Sequence, residues 1–320
     1  MLKIEETASQ CENILNAIKK HIIGKDEVLR QVMLALLADG HILFEDYPGL
    51  GKTMICRSFA NALGCDFRRI QFTPDLLPQD LTGAEIYNQK TNEFEFSKGP
   101  LFTDIILADE VNRATPKTQS ALLEAMAEYQ ISVGGITYPL VAENKPFLVI
   151  ATQNPLELEG TFALPEAQID RFLAKIKVGY PPKGAERIIL TNRIKRKTKS
   201  FEVERITDRT TFWKMQRSLE LVHVSDEIKE YIVEIVHQTR ELPRIKVGAS
   251  PRGSLDLMAL SRANAMLNNR DYVIPQDVKD LAVITLSHRI ILEIGTWLSG
   301  TSADIMIEKI LSKVRAPRKE

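Results

Sequence analysis

A short apolar run, His41 to Phe44, leads straight into Glu45-Asp46-Tyr47-Pro48-Gly49-Leu50-Gly51-Lys52-Thr53, and a helix-forming stretch follows. That order of strand, Gly-rich turn, Lys-Thr and helix constrains the fold more than any other feature of the chain. Gly49 and Gly51 let the main chain approach a ligand without a Cβ clash, the turn's N–H groups point at anionic oxygens, and the helix adds its positive end. At these spacings Lys52 reaches the β- and γ-phosphates of a nucleotide and the Thr53 hydroxyl is a magnesium ligand. One position departs from the usual pattern, which begins with glycine where this chain has Asp46.

Composition sets limits around this motif. A chain of 320 residues with 44% hydrophobic content is long enough for two folded domains with real cores. Lysine plus arginine number 42 and aspartate plus glutamate number 42, so no net field draws the chain to nucleic acid or anionic lipid. The one basic run of note, Arg193 to Lys199, is followed by Glu202, Glu204 and Asp208 and reads as a solvated helix end. Cys11, Cys56 and Cys65 are odd in number and lack CxxC pairing, so they read as reduced packing residues and not as a disulfide framework or a zinc site. No apolar stretch is long enough to span a bilayer, and Met1 to Glu6 lacks the basic-then-apolar order of a signal peptide. The expectation is a cytoplasmic protein with no membrane span and no nucleic-acid partner.

Along the chain, Ile14, Leu15, Ile18 and Ile22 recur at helical spacing with Ser9 as the expected cap, and Val28, Val32, Leu36 and Leu37 give a second helix. The period then changes. Short apolar runs at 41–44, 67–72, 105–108 and 147–151 alternate with helical stretches, which predicts an α/β fold with a parallel sheet flanked by helices. Two insertions interrupt it: strand-prone sequence from Gly83 to Phe96, and Ile131 to Leu140 around Gly134-Gly135, a hairpin signal. At Tyr180-Pro181-Pro182 the alternation stops and everything after reads as helices, placing a boundary between a nucleotide-binding α/β domain, 1–179, and a smaller all-helical domain, 180–320.

The candidate chemistry lies at strand ends. Ile105 to Ala108 runs into Asp109-Glu110, two acids where an α/β sheet places its ligands: Asp109 to hold the magnesium shell, Glu110 to polarise an attacking water. The run Phe147 to Thr152 ends in Gln153-Asn154, whose amide can orient that water. Arg171, in Asp170-Arg171-Phe172 at a domain edge, and Arg252, at the start of a helix after Ser250-Pro251, read either as surface ion-pair partners or as arginines that meet a γ-phosphate, where such a charge would neutralise the transition state.

This order of parts resembles the AAA+ ATPases, and more narrowly the MoxR family. The wording is closest in Ile70-Gln71-Phe72-Thr73-Pro74-Asp75-Leu76-Leu77-Pro78, in Ala108 to Ala114 with Gln119 to Met126, and in Ala151-Thr152-Gln153-Asn154-Pro155. The resemblance covers nearly the whole chain and implies an AAA+ core with a helical lid. It implies Walker A at Gly49, Gly51, Lys52 and Thr53, with Pro48, Leu50 and Met54 in the same binding run, and Walker B at Asp109 and Glu110. Asn154 corresponds to sensor 1, Arg171 to an arginine finger presented to a neighbouring subunit, and Arg252 to sensor 2, while Ile23-Gly24 falls where such proteins contact adenine. It further implies ATP and Mg²⁺ as cofactors, a homo-oligomeric ring, commonly a hexamer, and chaperone-like work with a partner carrying a von Willebrand factor A domain. A DNA-acting motor, a magnesium-chelatase-like motor subunit and a nucleotide-gated scaffold that does not hydrolyse ATP stay open as alternatives.

Overall fold

Residues 1–317, apart from 143, 156–159, 199–200, 294 and 296–299, are described by the computed structural model. Two helices lead, α1 (Ile4–Lys19) and α2 (Asp26–Leu37). Ser9 lies inside α1 and does not cap it. The cap position is Lys3, whose N–H bonds to the Glu6 carboxylate at 3.2 Å, because Ile4 already belongs to the apolar stripe and the helix starts a turn earlier than Ser9 suggests.

The α/β part runs β1 (Ile42–Glu45), α3 (Lys52–Leu63), β2 (Phe67–Gln71), α4 (Pro78–Thr82), β3 (Gly83–Asn88), β4 (Glu93–Lys98), β5 (Ile105–Asp109), α5 (Pro116–Glu128), β6 (Gln130–Val133), β7 (Ile136–Pro139), β8 (Leu148–Gln153), α6 (Glu166–Ile169) and β9 (Ala174–Ile176). Five of these strands form one parallel sheet in the order β2-β5-β8-β1-β9. The middle strands are apolar and buried on both faces, as parallel strands between two helical layers must be: Ile105 to Ala108 and Leu148 to Ala151 are fully buried. β9 carries no such run. Its central Lys175 turns to an ion pair with Glu45 at 2.9 Å, which hides the strand from pattern reading.

The two insertions are antiparallel hairpins, β3–β4 and β6–β7. Gly134 and Gly135 take φ of +59° and +79°, the left-handed pair that a two-residue turn requires. The hairpins touch through Phe96 stacked on Tyr138, ring centroids 4.2 Å apart, and leave Ile86, Tyr87, Phe94 and Ile136 exposed.

After the sheet come α7 (Lys183–Arg196), α8 (Arg209–Arg217), α9 (Asp226–Glu241), β10 (Ile245–Val247), α10 (Pro251–Leu267), α11 (Pro275–Leu286), β11 (Ile291–Leu292) and α12 (Ala303–Lys313). This half is helical as expected, with one addition that the sequence pattern did not show: β10 and β11, an antiparallel pair too short to show a period of two. One buried apolar cluster runs unbroken from α1, α2 and α3 under the sheet and into α8 to α12; a second, built around Phe72, Phe147 and Phe172, fills the other face beneath α5. Helix α7 is the exception, with Ala185 its buried residue and Ile188, Ile189, Leu190 and Ile194 exposed. The basic run forms its C-terminal end, with Lys199 outside the described residues. Among the described residues no helix is long and apolar enough to cross a membrane.

Candidate functional site

The turn between β1 and α3 sits at the carboxyl edge of the sheet, where doubly wound folds place their ligands. Gly49 and Gly51 have φ of +83° and +88°, conformations a side-chain-bearing residue adopts only under strain, and a Cβ on either would meet no atom within 4 Å. Their faces are therefore turned to open space. Gly51 caps α3, which has no side-chain cap and no acid in its first turn, so its leading N–H groups are left for an anion. Lys52 lies over the turn, its ammonium donating to the Asp46 carbonyl at 2.6 Å. Burial lowers its pKa from the ordinary lysine value, against the opposing pull of Asp46, Asp109 and Glu110.

The register of β2, β5 and β8 brings the two acids to this turn. Gln71 pairs with Asp109, and Ala108 with Ala151, so the strand ends form one row. The Asp109 carboxylate accepts from the Thr152 hydroxyl at 2.6 Å and from the Arg69 guanidinium at 2.7 and 3.1 Å. Glu110 follows in a left-handed conformation, φ +58°, which costs a non-glycine residue about 1–2 kcal/mol and is the kind of strain that collects at functional sites. Its N–H donates to the Thr152 hydroxyl at 2.8 Å, and its carboxylate accepts from Gln71 at 2.7 Å and Arg113 at 3.0 Å. One threonine thus sets the positions of both acids.

These groups surround a cavity of about 370 Å³, within the size range of small-molecule sites. Pro48, Gly49, Gly51, Lys52, Thr53 and Met54 line one side, and Asp109, Glu110, Asn154, Thr152 and Arg69 the other. The donor set fits a magnesium-bound polyphosphate: a hydroxyl and a carboxylate supply two hard oxygens, and Mg²⁺ takes the rest of its ligands from phosphate and water. Lys52 and the α3 N-terminus would answer the phosphate charge of such a ligand.

Residues 41–174 match the model of the ATPase family associated with various cellular activities (AAA), and 237–310 match the AAA lid domain. Chaperone MoxR1 of Mycobacterium tuberculosis is 40% identical over 96% of this chain and 82% of its own length. The chain belongs to the MoxR family of AAA+ ATPases. Another relative, protein YeaC of Bacillus subtilis, is 49% identical over 94% of this chain and 92% of its own. The crystal structure of a candidate ATPase from Cytophaga hutchinsonii superposes with a TM-score of 0.91 at 40% identity, covering 98% of this chain and 97% of that one.

Within this MoxR-family frame, some residues expected at the nucleotide stand elsewhere. Leu50 lies in the phosphate turn, but its side chain packs against the main core. Ile23 and Gly24 do not line the cavity; Gly24 lies against Pro181, Pro182 and Ala185, where an added Cβ would come within 2.6 Å of Ala185, so the turn between α1 and α2 is fitted to the start of α7. Arg171 and Arg252 do not line the cavity either, and they stand together. Arg171 donates to the Leu123 carbonyl of α5, and Arg252 donates to the Arg171 carbonyl at 3.4 Å. Arg289, its side chain buried, ties this corner by pairing with Asp170 at 3.3 Å and with Asp256, and by donating to the Phe172 carbonyl at 2.7 Å. Sequence reading missed Arg69, Gln71 and Thr152. The first two alternate along β2, which places both on the face that meets the acids, and that period of two was the available signal.

Proposed function

We propose that this MoxR-family chain is an ATP-hydrolysing motor that works as a homo-oligomeric ring, a hexamer in the family's common form, and remodels or matures partner proteins, among them one carrying a von Willebrand factor A domain. The observation that carries the reading is the convergence of Lys52, Thr53, Asp109, Glu110 and Asn154 on one cavity at the carboxyl edge of the sheet. Lys52 and the turn's N–H groups would bind the β- and γ-phosphates of ATP, and Thr53 and Asp109 would hold Mg²⁺. Magnesium, when bound, would offset the charge of the phosphate oxygens. Glu110 would accept a proton from the attacking water, with Gln71 and Arg113 fixing its carboxylate, and Asn154 would orient that water.

Arg171 would act on a neighbour as an arginine finger, and Arg252 would serve as sensor 2. Standing off its own cavity, Arg171 would supply charge to a γ-phosphate across a subunit boundary, which would make assembly a condition of turnover. The reading divides the chain into 1–179 and 180–320, with the segment 178–182 as the joint. The unbroken core between α1–α3 and α8–α12 makes rotation of the whole helical region expensive, so motion at the joint is best carried by α7. A cytoplasmic location completes the proposal.

Light scattering and phosphate release test it together. The purified chain should release phosphate from ATP only with Mg²⁺, without stimulation by DNA, and ATP should raise its mass to a closed multi-subunit assembly. A chain that turns over ATP as a monomer would contradict the ring.

A further inference from the structure

Asp46 stands where the phosphate-loop pattern has glycine, and it is buried, 8% exposed. A buried carboxylate needs partners, and those of Asp46 are specific. One oxygen accepts the Tyr47 N–H at 2.8 Å, and the other accepts the N–H of Gly179, the residue at φ +63° where the chain leaves the sheet for α7. The main chain of Asp46 faces the other way, with its carbonyl accepting from Lys52 at 2.6 Å and its N–H donating to Gln153 at 3.2 Å. Lys25 closes the far side of the joint: buried at the start of α2, it donates to the carbonyls of Val178, at 2.9 Å, and Gly179; burial lowers its pKa from the ordinary lysine value, against the opposing pull of Asp46. One residue therefore touches the phosphate-binding lysine through its backbone and the joint through its side chain.

We propose that Asp46 is a positioning residue that couples occupancy of the phosphate turn to the conformation of segment 178–182 and α7. The inference rests on the nucleotide-binding reading above. A phosphate that draws the Lys52 ammonium away removes a charged donor from the Asp46 carbonyl, and the altered peptide is linked by its own side chain to Gly179. Glycine at position 46 offers Lys52 the same carbonyl and no grip on the joint, which gives the departure from the usual motif a physical purpose. The element best able to respond is α7, held by little more than Ala185, while α8 to α12 are fixed to α1 and α2.

Hydrogen exchange of the full chain, with and without a non-hydrolysable ATP analogue and Mg²⁺, tests the coupling over residues 178–190. In the wild type the analogue should change exchange there. Asp46→Gly restores the common motif and should bind the analogue within about threefold of wild type. Loss of a hydrogen bond to a charged group should speed its basal exchange in the joint about tenfold, and the response to analogue should vanish. Asp46→Asn keeps an acceptor for the Gly179 N–H and should retain most of the response. A purely structural Asp46 would raise basal exchange in Asp46→Gly but leave the analogue's effect intact, and that result overturns the inference, as does a wild type that binds analogue without any change at 178–190. A wild type that binds no analogue sinks the nucleotide reading instead. Should Asp46→Gly fail to fold, Asp46→Ala decides on the same readout: a response undiminished there rejects the coupling, and a response cut by half or more supports it.

Discussion

Replacing Glu110 by glutamine leaves ATP binding within about threefold of wild type and lowers turnover by about 10²–10⁴-fold, the range a positioned general base contributes. The asymmetry follows from the geometry. Glutamine keeps an oxygen able to accept from Gln71 and Arg113, and the left-handed backbone at position 110 is held by its own N–H on Thr152, so the shape of the cavity survives. The lost property is proton acceptance. Fluorescent-nucleotide titration and single-turnover phosphate release, run on the same preparation, separate the two effects. Retained hydrolysis would remove Glu110 from its role, and loss of binding would make it a structural residue.

The second large effect is expected at Arg171. Its alanine variant should lose about 10³-fold in turnover, the lower range for an arginine that neutralises charge on a transferring phosphoryl group. Because Arg171 also holds the Leu123 carbonyl, loss of activity alone does not separate catalysis from packing. A mixing experiment does. Arg171→Ala and Lys52→Ala proteins are each expected to be inactive, but a random equimolar mixed ring pairs an intact Lys52 with an intact neighbouring Arg171 at about a quarter of its interfaces, and turnover should recover to about that fraction. An arginine acting within its own subunit gives no recovery on mixing.

Much of this fold was legible because its elements obey simple periods. Ile105 to Ala108 and Leu148 to Ala151 are unbroken apolar runs since both faces of a central parallel strand are covered, and the acids that end the first run stood out for the same reason. The strand β9 was not legible, because Lys175 spends its charge on Glu45 in the middle of a three-residue strand. The β10–β11 pair was too short to register. At the site, Lys52, Thr53, Asp109 and Glu110 could be read from local order, since each sits at a turn or strand end whose direction the fold class dictates. Arg69 and Thr152 act through register between strands, which spacing along one chain does not reveal. The Asp46 carboxylate finds its partner Gly179 133 residues along the chain, a link that spacing in the sequence does not reveal.

The meeting of one lysine and one threonine from the first turn with two acids from β5 on a single magnesium nucleotide is the central claim, and calorimetric titration of the wild type with a non-hydrolysable ATP analogue tests it most directly. Saturable, magnesium-dependent binding in the micromolar range is expected, weakened about 100-fold or more in Lys52→Ala and losing its magnesium dependence in Asp109→Ala. No heat of binding in the wild type, or equal affinity in Lys52→Ala, would contradict it.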